Sequence, residues 1–174
     1  MDFSQIALSL AEKILMVGDF NNNDTDDELA LLVLRALQER GWARVMGVVA
    51  NTDPALKRAR LARGLMNLIG LGDVPVGIGQ IVLDREGPFP NEHLISYMAP
   101  ADTLVDGYDL ILSVLKSADG QEVSLVLNSA MTDAAKILRE NETLFLRSVK
   151  QVVLMGGVEL ENGLPKLDEH GFMT

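Results

Sequence analysis

The chain has 174 residues, 48% of them hydrophobic and 23% charged, with a formal net charge of −10 and no cysteine. That length gives room for one domain with a substantial core, while the acidic balance opposes a nucleic-acid partner, whose phosphates need a concentrated basic face. Without cysteine there can be no disulfide, no thiolate metal site and no thiol nucleophile.

The N-terminal run Ile6–Ala11 is apolar, but Asp2 precedes it and Glu12-Lys13 follows. A signal peptide wants a basic start and a longer apolar core. No stretch reaches the roughly 20 apolar residues of a membrane helix, so a cytoplasmic protein with no membrane partner is expected. Ile14–Asp19 reads as a buried strand. Asp19, Asn21, Asn22, Asn23, Asp24, Asp26 and Asp27 then crowd one short loop. Thr25 and Glu28 have the spacing of a capping box and predict a helix over Asp26–Arg40. Arg44–Ala50 is the next strand. Asp53 as cap and Pro54 at the first helical position predict a helix to Ile69. Its Lys57, Arg58, Arg60 and Arg63 read as a solvated outer face.

Val74–Gly79 is a third strand candidate, and its Gly77-Ile78-Gly79 reads as a tight turn, too short for a dinucleotide fingerprint. Gln80–Ala101 contains Pro88, Pro90 and Pro100 and no helical period, the pattern of a functional or mobile loop. His93 within it reads as solvated. In Thr103–Ser117, Leu104, Tyr108, Ile111, Leu112 and Leu115 recur on one helical face. Val123–Asn128 is a strand, Asp133–Glu140 and Glu142–Val149 are helical, and Val152–Gly156 is a last strand. Met16 and Met155 read as core methionines of their strands. Glu159, Glu161, Asp168 and Glu169 belong to a mobile, solvent-exposed tail, and His170 in the terminal segment reads as solvated.

The strand candidates are near-continuous apolar runs, as in strands covered on both faces. Their alternation with helices predicts an α/β fold, a Rossmann-like, mostly parallel sheet flanked by helices on both faces in a single domain. Right-handed crossovers bring every strand's C-terminal end to one edge, where open sheets bind ligands. That edge carries Asp19-Phe20-Asn21, Asn51-Thr52-Asp53, Gly79-Gln80, Asn128-Ser129 and Gly156-Gly157.

Two chemistries compete for the acidic loop. Asp19, Asn21, Asp24, Asp26 and Asp27 offer the oxygens a hard cation takes, about six to eight for Ca²⁺ and fewer from protein for Mg²⁺. The loop is no EF-hand, and no Walker sequence occurs. Equally, acids at a helix start are favoured by the helix dipole alone. A Mg²⁺ phosphotransfer site on Asp19 is a third alternative, without the Lys and Ser/Thr such sites use at later strand ends.

The order strand, Asp-x-Asn-x-x-Asp-x-Asp-Asp-Glu, apolar helix resembles the opening of the inosine–uridine-preferring nucleoside hydrolases. Asp24–Glu28 is similar to the Asp-x-Asp-Asp-Glu of a divergent branch. The resemblance continues in Gly47-Val48-Val49-Ala50-Asn51, Ala59–Gly64, Leu71–Gly79 and Val152–Gly157, so it spans most of the chain. It implies Ca²⁺-dependent hydrolysis of the N-glycosidic bond of a ribonucleoside to ribose and free base. By position, Asp19 would be metal ligand and general base, and Asp27 a metal ligand. A backbone carbonyl near Met131 would be a further metal ligand. Asp26 would contact a ribose hydroxyl, and Asn51 and Met155 would line the sugar pocket. Asn21 and Asp24 are additional candidates.

Two departures follow. Counted back from Asp26-Asp27, the first aspartate of the pattern falls on Phe20, which leaves Asp19 one residue out of register. The family's His-Asp pair and further ribose contacts come from a C-terminal half, so a C-terminally truncated domain with half an active site is expected. The alternative is a non-catalytic metal- or ribose-binding fragment or assembly partner of the same fold. An uncovered edge near Val152–Met155 would favour pairing into a homo-oligomer.

Overall fold

The computed structural model describes residues 11–21, 25–81, 95–156 and 159–166. Asp24, His93, Gly157, Asp168, Glu169 and His170 lie outside the described residues. Six strands are present in one sheet: β1 (Glu12–Gly18), β2 (Ala43–Ala50), β3 (Val76–Ile78), β4 (Val105–Asp106), β5 (Val123–Leu127) and β6 (Val149–Leu154). Their spatial order is β4-β3-β2-β1-β5-β6 and every pairing is parallel. Between them run α1 (Asp26–Glu39), α2 (Ala55–Leu68), α3 (Gly107–Lys116), α4 (Thr132–Glu140) and α5 (Glu142–Ser148). A small antiparallel hairpin follows, β7 (Leu160–Glu161) and β8 (Leu164–Pro165).

Side chains alternate between the faces of a strand, and β1 is apolar on both. Ile14 and Met16 share a core with Leu31 and Leu34 of α1 and Ala59, Ala62 and Met66 of α2. Leu15 and Val17 share another with Leu110, Ile111 and Val114 of α3 and Ala134 and Ile137 of α4. That two-sided cover explains the continuous apolar runs in the sequence. It also makes β1 the centre of the molecule, with β2 on one side and β5 on the other.

Several local expectations are corrected. Thr25 precedes α1 but makes no side-chain capping bond, so the capping box does not form. Helix α2 starts at Ala55 after an extended Pro54, with no cap from the Asp53 side chain. Helix α3 starts at Gly107 because the Asp106 carboxylate accepts from Asp109 N at 2.9 Å, the stronger cap. The preceding residues form a short 3₁₀ turn, Ala101–Thr103, and β4. Gly77 and Ile78 are not a turn: they pair in parallel with Val105 and Asp106. A Cβ at Gly77 would lie 2.7 Å from Gly107 Cα, so glycine there lets α3 begin close against β3. β6 starts at Val149, which pairs with Val123, and not at Val152. Glu159 and Glu161 are exposed, as expected of this segment, but lie beside and within a small hairpin, with Lys166 Nζ donating to Glu159 Oε2 at 2.7 Å.

β6 is one of the two edge strands of the sheet, and Val152, Val153, Leu154 and Met155 are all exposed. No helix among the described residues is long and apolar enough to cross a membrane.

Helix α2 also anchors the chain that returns after residue 94. Arg60 Nε donates to Ala99 O at 2.8 Å, and Ala99 N donates to Arg60 O at 3.0 Å. Gly64 permits this contact, since a Cβ there would lie 1.8 Å from Tyr97 O. Alanine is the better helix former by about 1 kcal/mol. Even so, Gly64→Ala is expected to destabilise the protein by about 1–3 kcal/mol through overpacking. A urea midpoint equal to or above that of the wild type would contradict this docking.

Candidate functional site

The chain passes from β1 outward through β2, β3 and β4, then returns to place β5 on the other flank of β1. The C-terminal ends of β1 and β5 therefore form the switch point where open α/β sheets take ligands. Asp19 follows β1 there, and Asn128 to Met131 follow β5, with Asn128 N donating to Val17 O at 2.8 Å.

The register at the end of β1 is set by burial. Phe20 is fully buried in the core shared with α1 and α2. Asp19 instead keeps about a third of its side chain exposed, at 33%. Phe20 is the anchor of the strand end, and Asp19 is the residue presented there. Its backbone N–H donates to Asp27 Oδ2 at 2.7 Å, joining the strand end to the first turn of α1.

Asp27 is only 1% exposed, and its Oδ1 is buried with no hydrogen-bond partner. Burial pushes its carboxyl up to about 8; the Asp19 N–H pulls the other way, and the neighbouring charges of Asp19 and Asp26 add to the rise. Gly18 makes room for it, since a Cβ there would lie 2.4 Å from Asp27 Oδ1. Asp26 is half-buried at the start of α1, and Asn21 is half-buried beyond Phe20.

Behind these acids lies Arg58, 1% exposed. Its Nη1 donates to the carbonyls of Asp19 and, at 3.3 Å, Phe20, while Nε and Nη2 donate to Asp53 O at 3.3 and 3.2 Å. Nη1 also stands 3.7 Å from Asp19 Oδ2. Burial pulls the guanidinium down from its ordinary range, and Asp19, Asp27, Asp53 and Glu28 oppose that. Arg58 thus ties the β1 and β2 ends together and counters part of the acidic charge. Arg63 is buried too, donating to Val74 O at 2.6 Å and Leu71 O at 3.0 Å. The solvated basic face expected on this helix is therefore corrected for these two residues. The signal was present in the sequence: Ala55, Arg58, Ala59 and Ala62 follow the i, i+3, i+4, i+7 spacing of a buried stripe.

Asn51 is fully buried between the ends of β2 and β5. Its Nδ2 donates to Ala130 O and Asp133 Oδ2, both at 2.8 Å, and its Oδ1 accepts from Ser129 Oγ at 2.7 Å. Thr52 next to it has φ +66°, a left-handed conformation uncommon outside glycine. Asp133 is 2% exposed; burial pushes its carboxyl up, opposed by the Asn51 amide and the Gln80 N–H. The sequence reading did not single out Asp133, although it sits in the stripe with Ala134 and Ile137. Met131 ends the β5–α4 loop, and its carbonyl accepts from Ala135 N at 2.8 Å as the first bond of α4. Beside it, Thr132 Oγ1 is another buried oxygen without a hydrogen-bond partner. Met155 is 51% exposed beyond β6 and so is not the core methionine its apolar run suggests, while Met16 is; the Met155 N–H donates to Leu127 O at 2.9 Å.

The structure thus brings Asp19, Asp26 and Asp27 together at the end of β1, and joins Asn51 at the end of β2 to the loop after β5 that carries Met131. Met155 stands at the far flank of β5. Among the described residues no group of three or more His, Asp or Glu side chains converges as a metal site. Two carboxylates are well short of a calcium shell of about six to eight oxygens, so carbonyls, water or substrate hydroxyls must supply the rest. Asp27 still fits such an ion, because its buried Oδ1 beside a second carboxylate is an acceptor with no donor.

No protein-family model matches the chain, and no curated protein matches it in sequence. Solved structures do match. The type III effector protein XopQ, solved with adenosine diphosphate ribose, superimposes with a TM-score of 0.80 at 25% identity, over 99% of this chain and 52% of its own. The purine-preferring ribonucleoside hydrolase from Gardnerella vaginalis gives 0.62 at 19% identity, over 84% of this chain and 49% of its own. The inosine–uridine-preferring nucleoside hydrolase from Bacillus anthracis gives 0.57 at 19% identity, over 84% and 50%. The chain spans about half the length of these structures. Its fold is the α/β fold of the nucleoside hydrolases.

Proposed function

We propose that the β1–β5 strand ends form a cation- and ribose-binding site that hydrolyses the N-glycosidic bond of a ribonucleoside, giving ribose and free base. The observation that carries this reading is the buried, partnerless Asp27 Oδ1 beside Asp19 at the switch point of a nucleoside hydrolase fold. Asp19, Asp27 and the Met131 carbonyl would hold Ca²⁺, which when bound polarises a water and the sugar diol. Asp19, partly exposed and braced from behind by Arg58, accepts the proton of the attacking water. Asp26 hydrogen-bonds a ribose hydroxyl, and Met155 bounds the sugar pocket from the β6 side. Asn21, at the mouth of the loop, is a further contact, and Asp24 of the same loop is proposed with it. The inosine–uridine preference belongs to this proposal as well, as does a cytoplasmic site of action.

The test is release of reducing sugar from inosine and uridine by the purified protein, with and without CaCl₂. Calcium-dependent release is expected, and its absence under both conditions removes the catalytic reading. A second reading, a non-catalytic ribose-binding unit, is favoured by the likeness to XopQ, whose structure holds adenosine diphosphate ribose. Binding of that ligand by calorimetry without turnover of any nucleoside would select it.

A further inference from the structure

An asparagine side chain has two amide hydrogens and an oxygen with two lone pairs. At Asn51 all four are taken by the protein. The hydrogens go to Ala130 O and Asp133 Oδ2, each at 2.8 Å. The oxygen accepts from Ser129 Oγ at 2.7 Å and Thr52 Oγ1 at 3.3 Å. The side chain is 0% exposed, so a ligand could reach it only by breaking bonds in a dry site.

Asp133 completes the arrangement. Its Oδ2 takes the Asn51 amide, and its Oδ1 accepts from Gln80 N at 3.1 Å. Gly79 lets the pair close, since a Cβ there would lie 2.7 Å from Asn51 Cβ and 3.0 Å from Asp133 Oδ2. The ends of β2 and β3 are thereby tied to the loop after β5, the loop that carries the Met131 carbonyl.

We propose that Asn51 and Asp133 are a positioning couple that fixes the Ser129–Met131 loop, and that Asn51 acts through this loop without touching the ligand. The inference rests on reading the strand ends as a cation and ribose site. Asn51 holds the Ala130 carbonyl directly, and Asp133 holds the amide that does so. The cation half contributed by the β5–α4 loop is then only as ordered as this couple makes it.

Nuclear magnetic resonance and calorimetry test it on the whole chain. In the wild type the Asn51 side-chain amide protons should exchange slowly, and their resonances should stay in place when CaCl₂ and inosine are added. Asp133→Asn should remove the protection and weaken calcium binding about 10- to 100-fold, the range for residues that orient ligands. Asn51→Ala, which has no side-chain amide to follow, should weaken calcium binding to the same extent, and the double variant should bind calcium no worse than either single one, as for residues acting as a unit. Ser129→Ala removes one bond of the network and is the milder variant if Asp133→Asn does not fold; it should speed exchange of the same protons.

Rapid exchange in the wild type, or an Asn51 resonance that moves on adding inosine, overturns the proposal. So does an Asp133→Asn protein that melts earlier yet binds calcium as the wild type does, because the couple is then purely structural. If the wild type binds neither calcium nor inosine, the cation and ribose reading fails by itself. The couple then stands or falls on the amide protection and its loss in the variants.

Discussion

Asparagine in place of Asp27 is expected to abolish stabilisation by calcium and to lessen the pH dependence of the melting temperature. The folded chain holds the Asp27 proton up to about 8, whereas the ordinary value is 3.8. Between those values the folded state binds more protons than the unfolded one, so stability falls as pH rises through this window. The contribution is fully present below the lower value and lost toward the upper one. Glu12 and Glu122 shift the opposite way, their carboxyls lowered from 4.5, so their effect is confined to the acid end of this window and below it, whereas Asp133, raised by burial like Asp27, adds to the same slope. A cation selects the ionised carboxylate, so calcium should stabilise more as pH rises. At a hundredfold excess over its dissociation constant that is about 2.7 kcal/mol. Asparagine keeps the shape, carries no charge and cannot titrate. Thermal melts of both proteins across this pH range, with and without CaCl₂, decide the matter. A wild type indifferent to calcium, or a variant that responds equally, would refute the role given to Asp27.

The second large effect is expected at Asp19. Measured at saturating CaCl₂, because Asp19 is also given a place in the calcium shell, Asp19→Asn should lower inosine hydrolysis by about 10²- to 10⁴-fold, the usual contribution of a general base. The fold should survive, because Arg58 grips the backbone carbonyls of Asp19 and Phe20, and Phe20 remains buried. Inosine binding should persist with the rate reduced. Loss of binding with an unchanged rate at saturation would make Asp19 a substrate contact and not the base.

Much of the architecture was legible in the sequence. Both faces of β1 had to be apolar if helices covered both, and Ile14–Val17 is apolar throughout. Boundaries were less legible where a short-range rule met a stronger competitor. The Thr25–Glu28 spacing suggested a capping box, yet Thr25 makes no such bond. Helix α3 was expected to start at Thr103 until the Asp106 cap and the β3–β4 pairing took precedence.

The site divides in the same way. Its aspartates were visible as a cluster because a strand–loop–helix unit keeps them close in sequence. The groups that organise them were not, since Arg58, Asn51 and Asp133 act across 39, 79 and 82 residues of chain. Arg58 read as a surface charge because its helix is basic and has few acids nearby. Its partners are mostly backbone carbonyls, and carbonyls carry no signature in sequence.

By itself, then, the sequence determined the alternation of helices with five of the sheet's six strands, the two-sided cover and the acidic loop at the end of the first strand. These depend on local periodicity and on which residues can be buried. Tertiary structure alone decided that Phe20 is the anchor and Asp19 the presented acid, because the choice turns on which side chain the helices of one face can bury. It alone decided that Asp27 is buried beside a second carboxylate and that Asn51 is spent on the protein. Burial and hydrogen-bond saturation are properties of neighbours brought from elsewhere in the chain, and a single segment does not contain them.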